Sequence, residues 1–313
     1  RWSTDTCLSA NAEPSDDTSL PASAGISSST SLSPRKTMIH VLSGYPDNAD
    51  YARLAAAMLA ESLDSNDSVN VARYYDLIGG PLRARFLATK AIAAFQRGRQ
   101  SEARTAAQEA ISDFRDFYAV SPHLMLAGDH MLYGQCEMIN AATDDDATAS
   151  GAWSRAAEIL YRSLSGIQCL KLHFLIGTCH QKQRDYIKAA EQFQLAIETS
   201  DDELESMRAL ARLLFGEALL NSDRADSAVS TLQSLTEDSS LPIEKLDINY
   251  PRYWTFGDMC ILDDAQYLIA QCFETKKDNH RAAAEFIKVC RFYPGSDRCS
   301  KAKSRASELI QQF

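Results

Sequence analysis

Small residues recur at a fixed spacing between residues 170 and 221, and this spacing constrains the fold more than any other feature. Gly177 is followed twelve residues later by Ala189, and Gly216 is followed twelve residues later by Ala228. The two pairs are offset by 39 residues. A small residue where two helices cross lets their backbones approach closely, and repetition of such a unit is typical of a helical solenoid. The stretch therefore predicts two consecutive helical hairpins of the same construction.

The spacing of twelve residues occurs again on both sides of this stretch. Ala91 and Ala103 form one further pair, and Ala270 and Ala282 form another. Short turns between the members of each pair favour antiparallel neighbouring helices. We predict six hairpins in all, followed by a last helix at 297–311 that caps the array.

Two insertions interrupt the repeat. In the third hairpin Gly134 and Ala156 are 22 residues apart, and the ten extra residues coincide with a polar loop near 142–152. The second insertion lies near 239–257, before the sixth hairpin. The first loop contains three consecutive aspartates, which could suggest Ca²⁺ or Mg²⁺, but the D-x-D-x-D-G loop pattern is missing. We therefore favour a solvated loop.

The composition supports an all-α class. Glycine and proline are sparse after residue 45 and alanine is abundant, which favours helix over strand. Residues 1–40 are instead rich in Ser, Thr and Pro, and they contain few large apolar side chains. Such a segment cannot bury enough surface to offset its ordering entropy, so we expect a disordered tail before a helical repeat domain at 45–313.

The predicted helices of the first hairpins are bounded by turn residues. The first hairpin begins after Tyr45-Pro46 and ends at Gly79-Gly80-Pro81. The helices of the next two hairpins are predicted at 83–96, 102–114, 123–140 and 153–164.

The net charge of −10 opposes binding to nucleic acid or to anionic lipid. No apolar run approaches the roughly 20 residues that cross a bilayer, so we expect no membrane span. The chain starts at Arg1 rather than methionine, which leaves open a removed signal or a longer protein.

The eight cysteines include no C-x-x-C pair, and we expect most of them to pack as small hydrophobes. A reducing, cytoplasmic compartment is therefore favoured. Cys169 and His173 are four residues apart and could share a helix face as zinc ligands, with Cys179 and His180 nearby. A structural zinc usually takes four ligands at short-loop spacing, so ordinary helix packing is favoured. We predict no metal and no cofactor.

Sequence motifs for catalysis are absent from the chain. It contains no P-loop, no dinucleotide-binding G-x-G-x-x-G, no G-x-S-x-G and no H-E-x-x-H. We therefore expect a protein without enzymatic activity.

The spacing resembles the tetratricopeptide repeat, which has small residues at positions 8, 20 and 27, an apolar residue at 24 and often Pro at 32. The matching residues of hairpin four are Gly177, Ala189, Phe193 and Ala196, and those of hairpin six are Ala270, Ala282, Phe286 and Pro294. The resemblance covers roughly residues 45–313. It implies a right-handed superhelix whose concave face is lined by the first helix of each hairpin.

The resemblance also implies which side chains face the groove. Position 5 corresponds to Ala88, Met131, Phe174, Leu213 and Tyr267, and position 9 to Ile92, Gln135, Thr178, Glu217 and Gln271. A groove with Met131, Phe174, Leu213 and Tyr267 suits an amphipathic helix or an extended apolar segment of a partner. The alternative is that the second insertion or the N-terminal tail occupies the groove.

The second insertion contains the densest aromatic cluster of the chain. Arg252, Tyr253 and Trp254 are of the residue types that most often anchor interfaces, and long loops on rigid scaffolds are enriched in function. The alternative is that these rings fold back between hairpins five and six.

The segment Tyr293-Pro294-Gly295-Ser296 is similar to the junctions of bacterial envelope proteins of the same repeat family. Tyr45-Pro46 is similar to it near the other end. This similarity keeps the bacterial periplasm or envelope as an alternative compartment.

These observations predict a scaffold or adaptor that binds a protein segment in a concave helical groove. The alternative is a regulatory or targeting module of a larger multidomain enzyme or of an envelope assembly complex. The sequence identifies neither the partner nor the oligomeric state.

Overall fold

The computed structural model describes residues 80–120, 125–143, 149–199, 205–238 and 261–312. These residues form eleven α-helices and no β-strand, which confirms the all-α class. The helices are α1 (Gly80–Gln96), α2 (Gln100–Val120), α3 (Ala127–Ala142), α4 (Ala149–Ser163), α5 (Leu170–Lys182), α6 (Tyr186–Glu198), α7 (Glu205–Asn221), α8 (Ala225–Thr236), α9 (Ile261–Thr275), α10 (Asn279–Phe292) and α11 (Arg298–Ile310). The predicted tail at 1–40, the first hairpin and the second insertion lie outside the described residues.

The first ten of these helices pair as five hairpins, α1–α2 through α9–α10, and α11 follows the last hairpin. Each second helix also contacts the first helix of the next hairpin. The first helices contact one another along the array, from α1 to α3 and onward to α11. This is the predicted helical-repeat solenoid with its terminal helix. The resemblance to the tetratricopeptide repeat implies that the first helix of each hairpin lines the concave face, and we therefore call the surfaces of α1, α3, α5, α7, α9 and α11 the inner wall.

Helix boundaries differ from the sequence predictions by three residues or more at four places, one of which is the start of α4 at Ala149, four residues earlier than predicted and inside the predicted loop. Helix α1 begins at Gly80 because Pro81 fits the first turn of a helix, where its missing N–H is not needed. Helix α2 continues six residues past the predicted end, to Val120. Helix α3 begins at Ala127, four residues later than predicted, where the Asp129 side chain accepts a hydrogen bond from the Leu126 backbone N–H at 3.0 Å.

Within three hairpins a glycine faces a large side chain directly. A Cβ atom added to Gly177 would lie 2.8 Å from the ring of Phe193, and one added to Gly216 would lie 2.5 Å from Leu232. The partner of Gly134 is Leu160, also at 2.5 Å. The large residue therefore fills the space that the missing side chain leaves, inside its own hairpin rather than between hairpins. All three large residues are fully buried.

The turn inside four hairpins has one shared geometry that the sequence analysis missed. Gly98, Arg184, Asp223 and Lys277 each have φ between 60° and 75°. Each lies seven residues after the small residue of its first helix, and only one of the four is glycine. Before α6 and α10, the residue that follows the positive-φ position is an aspartate. Its side chain accepts a hydrogen bond from a backbone N–H in the first turn of the helix, at 3.3 Å and 3.2 Å. The conformation of the turn therefore follows from the alignment of the two helices and does not require glycine.

Two hydrophobic cores run along the array and both include α5. Leu170 and Phe174 belong to the core that extends through α11, whereas Leu172, Leu175 and Ile176 belong to the core that begins at α1. Helix α5 therefore joins the two halves of the solenoid.

Replacing Gly216 with alanine tests the close approach. The added methyl group must displace Leu232, and overpacking of about 1–3 kcal/mol exceeds the gain of about 1 kcal/mol in helix propensity. We expect the free energy of unfolding in urea to fall by about 1 kcal/mol. Gly295→Ala is the control, since no atom lies within 4 Å of the added Cβ, and it should leave stability unchanged. Equal effects of the two changes would contradict this account.

Replacing Lys277 with glycine tests the turn. The positive φ of this exposed lysine disfavours any residue with a Cβ, and glycine removes that cost while adding entropy to the unfolded chain. We expect Lys277→Gly to raise the free energy of unfolding by about 0.5 kcal/mol. Lys303→Gly, on the exposed face of α11, should instead lower it by about 1 kcal/mol. A loss of stability at both positions would show that the turn is not strained.

Candidate peptide-binding surface

The structure places the position-5 residues of the inner wall in two different environments. Met131 and Tyr267 are half-buried, and each packs against the edge of a hydrophobic core. Phe174 and Leu213 are fully buried, so they offer no surface to a ligand in this structure. Ala88 is also fully buried.

Phe174 and Leu213 pack into the core, so Met131 and Tyr267 are the partly accessible members of the predicted apolar set in this structure. The Phe174 ring lies 5.9 Å from the ring of Phe193, and both side chains belong to the core that extends from α5 to α11. Here the first helices of neighbouring hairpins lie close together, so the side chains on their facing surfaces are buried in the hydrophobic core. Arg252, Tyr253 and Trp254 lie outside the described residues and remain a prediction.

Tyr267 is the aromatic residue that the inner wall presents at its C-terminal end. Its ring makes an edge contact with the ring of Phe286, with centroids 5.2 Å apart. The guanidinium of Arg298, on α11, lies 5.4 Å from the centroid of the Tyr267 ring. The side chain is therefore held by α10 and α11 while it keeps part of its surface exposed.

Arg298 also forms an ion pair with the first helix of the preceding hairpin. Its Nε donates to Oδ1 of Asp264 at 2.6 Å, and the Asp264 side chain is only 7% exposed. Burial raises the pKa of Asp264 to about 6, although the charge and hydrogen bond of Arg298 act in the opposite direction. The two residues are 34 positions apart in the sequence, so this ion pair ties α11 directly to α9.

A second, half-buried carboxylate lies one helix earlier on the inner wall. Glu217 accepts a hydrogen bond from Nε2 of Gln181 at 2.8 Å. Burial raises the pKa of Glu217, and the Gln181 hydrogen bond, Arg298 and Lys182 oppose that rise. Burial also lowers the pKa of Lys182 to about 8, with Glu217 acting against it. We call Gln181, Lys182, Glu217, Asp264 and Arg298 the inner charged cluster, since it links α5, α7, α9 and α11.

The N-terminal end of the inner wall has a different character. Arg85 on α1 binds Asp129 on α3 through two hydrogen bonds, at 2.5 and 2.9 Å. Met131 follows Asp129 by two residues, and Ile92 on α1 is half-buried. An open depression lies on the hairpin α1–α2, lined by Lys90, Arg99, Gln100, Glu102 and Glu109 among others.

The histidines considered as zinc ligands have hydrogen-bonding partners of their own. Nδ1 of His173 lies 3.0 Å from Oε1 of Gln192, and Nε2 of His180 lies 2.9 Å from the hydroxyl of Tyr161. In the described parts of the chain, no three or more His, Cys, Asp or Glu side chains are grouped so that they could hold a metal ion. The aspartates at 144–146 lie outside those parts.

Two cysteines form a pair that the sequence analysis did not predict. Cys290, in the last turn of α10, forms a disulfide with Cys299, in the first turn of α11, and their Cα atoms are 4.7 Å apart. The other described cysteines, Cys136, Cys169, Cys179 and Cys272, are buried as expected. The sequence feature that could have predicted this disulfide is the position of the two cysteines on either side of the Tyr-Pro-Gly-Ser junction.

Among the described helices, none combines the length and the apolar character that a bilayer crossing requires.

Comparison with known proteins confirms the repeat that the sequence resembles. The model of a tetratricopeptide repeat family matches residues 264–296, which include Tyr267, most of α9 and all of α10. This segment therefore matches a tetratricopeptide repeat. No curated protein matches the chain in sequence.

Solved structures of repeat proteins are similar in fold at low sequence identity. One is YrrB, titled a TPR protein with an unusual peptide-binding site, at 15% identity and a TM-score of 0.46, covering 86% of this chain and 99% of that one. Another is a putative kinesin light chain of Podosopora anserina with nearly identical TPR-like repeats, at 15% identity and a TM-score of 0.44, covering 67% and 94%.

The raised pKa of Asp264 gives a test of the inner charged cluster. The pKa of Asp264 is 3.8 in the unfolded chain and about 6 in the folded one, so the folded chain binds this proton more tightly. Protonation of Asp264 therefore stabilises the fold, and this contribution is complete below pH about 4 and is lost as the pH rises through 6. We expect the melting temperature of Asp264→Asn to fall less between pH 4 and pH 7 than that of the unaltered protein. Asp226→Asn, on the exposed surface of α8, should keep the original dependence. Identical pH profiles for Asp264→Asn and the unaltered protein would contradict the assignment.

Proposed function

We propose that the chain is a non-enzymatic scaffold or adaptor that binds a segment of a partner protein along its inner wall. The observation that carries this proposal is the half-exposed Tyr267, fixed between Phe286 and Arg298 inside the matched tetratricopeptide repeat. A rigid aromatic side chain that keeps one accessible surface anchors a ligand at low entropic cost.

The burial pattern suggests where along the inner wall a partner binds. Phe174 and Leu213 close the middle of the wall, and Met131 and Tyr267 remain accessible on either side of it. The end near Tyr267 also offers Gln271 and the inner charged cluster, which supply polar partners beside an accessible ring. We therefore assign the binding site to the C-terminal half of the inner wall, between α7 and α11.

The chemistry of this surface favours a particular kind of segment. One apolar or aromatic side chain of the partner packs on Tyr267, and the polar groups beside it hydrogen-bond with Gln271 and Glu217. An extended segment or one face of an amphipathic helix meets both requirements. Arg252, Tyr253 and Trp254 are proposed as an additional contact from the second insertion. We propose protein partners rather than nucleic acid, since the net charge is −10.

A binding experiment with matched variants tests this assignment. Peptides selected against the chain from a displayed random library are titrated against the unaltered protein and against Tyr267→Ala. We expect affinity to fall by about tenfold or more, as for a central aromatic anchor. Gln271→Arg, one turn further along α9, tests the same surface without removing core packing.

The control for the binding experiment is Ile187→Ala. This variant removes an apolar side chain that is 61% exposed on α6, a second helix, and it should bind as the unaltered protein does. Circular dichroism establishes that each variant is folded. Unchanged affinity in both Tyr267→Ala and Gln271→Arg would overturn the assignment of the site.

A further inference from the structure

Helix α11 packs on the solenoid through a narrow apolar face. Its buried side chains are Ala302, Ala306 and Leu309, and two of these three are alanine. Burying a methyl group contributes far less than burying a large apolar side chain. Polar and covalent contacts add to this attachment.

Three such contacts hold α11, and two of them are ion pairs with α9. Arg298 binds Asp264 in the first turn of α9, and Arg305 binds Glu274 near its end. The third is the disulfide between Cys290 and Cys299, which spans the junction at residues 293–296. Its Cα separation of 4.7 Å lies within the range that native disulfides adopt. A covalent bond at the first turn of α11 fixes where this helix begins.

The same bond controls the position of Arg298. Arg298 is the residue immediately before Cys299, and its side chain reaches Asp264 and the ring of Tyr267. Loss of the bond frees the first turn of α11 and, with it, the guanidinium that lies beside Tyr267. The state of the two cysteines is thereby coupled to the C-terminal end of the inner wall.

We propose that Cys290 and Cys299 form a reversible redox clip, which holds α11 and Arg298 against the inner wall when oxidised and releases them when reduced. The oxidant is a low-molecular-weight disulfide, and the reductant is the corresponding small thiol, two molecules of which reverse the same two exchange steps. The thiolate of one cysteine attacks the oxidant and expels one small thiolate, and the thiolate of the second cysteine then attacks the mixed disulfide and expels the other. Two protein thiols thus lose two electrons and two protons, and one small disulfide becomes two small thiols.

The exposure pattern favours exchange at this pair over the other described cysteines. Cys290 and Cys299 are half-buried, so a small disulfide can reach them. Cys136, Cys169, Cys179 and Cys272 are buried, and burial raises the pKa of the Cys136, Cys179 and Cys272 thiols, which keeps these thiols protonated and unreactive.

Peptide mapping tests the bond itself. Trypsin cleaves after Lys288, Arg291, Arg298 and Lys301, which isolates each cysteine in a separate tripeptide, 289–291 and 299–301. After treatment of the full chain with oxidised glutathione, we expect mass spectrometry to find these tripeptides joined, and after dithiothreitol to find both alkylated. Glutathione adducts on the separate tripeptides, or no linkage, would overturn the clip.

Hydrogen exchange tests the release of α11. We expect reduction to accelerate amide exchange at residues 298–310 by about 30-fold or more, because a constraint on a short loop is lost, and to leave α5 unchanged. The variant carrying both Cys290→Ala and Cys299→Ala is the matched control. It should show the fast exchange with and without reductant. Equal exchange in the oxidised and reduced unaltered protein would overturn the release.

The effect on ligand binding rests on the proposed function, whereas the two measurements above do not. With a peptide selected as described, affinity should change at least threefold between the oxidised and reduced chain and should not change in the double cysteine variant. A chain that shows the clip and the release but binds no peptide in either state would keep this inference and reject the proposed function. A peptide that binds equally in both states would reject the coupling alone.

Discussion

Close contact between a helix glycine and a large side chain of the paired helix is the interaction on which the rest of the structure depends. At Gly177 and Gly216 there is no room for one further carbon atom, because Phe193 and Leu232 already occupy that space. This contact fixes both the distance between the two helices and their relative register. Since the same contact recurs, successive hairpins have the same shape and stack in the same way.

Stacking of identical shapes determines what the inner wall can offer to a ligand. Where the first helices lie close together, their facing side chains become core, as Phe174 and Leu213 do. At the C-terminal end the last neighbour is α11, which is held by three buried apolar side chains, two ion pairs with α9 and a disulfide. Tyr267 keeps an accessible surface at this end, beside Arg298.

The hairpins could be predicted from the sequence because two helices approach closely only where small residues meet, and the spacing of twelve residues records this local requirement. Even the interrupted third hairpin was correctly paired, since the large residue facing Gly134 is displaced by the same ten residues. The exposure of position 5 could not be predicted in this way. It depends on the distance between first helices of neighbouring hairpins, to which many contacts contribute. The disulfide was missed for a related reason, because its partners meet only through the turn geometry after Pro294.

A double-mutant cycle on Gly177 and Phe193 tests the central contact most directly. The free energy of unfolding in urea is measured for the unaltered protein, Gly177→Ala, Phe193→Ala and the variant with both changes. If the ring occupies the space above the glycine, Gly177→Ala destabilises the unaltered protein, yet it stabilises the Phe193→Ala background by up to about 1 kcal/mol through helix propensity. Effects of Gly177→Ala that agree within about 0.3 kcal/mol in the two backgrounds would contradict the account.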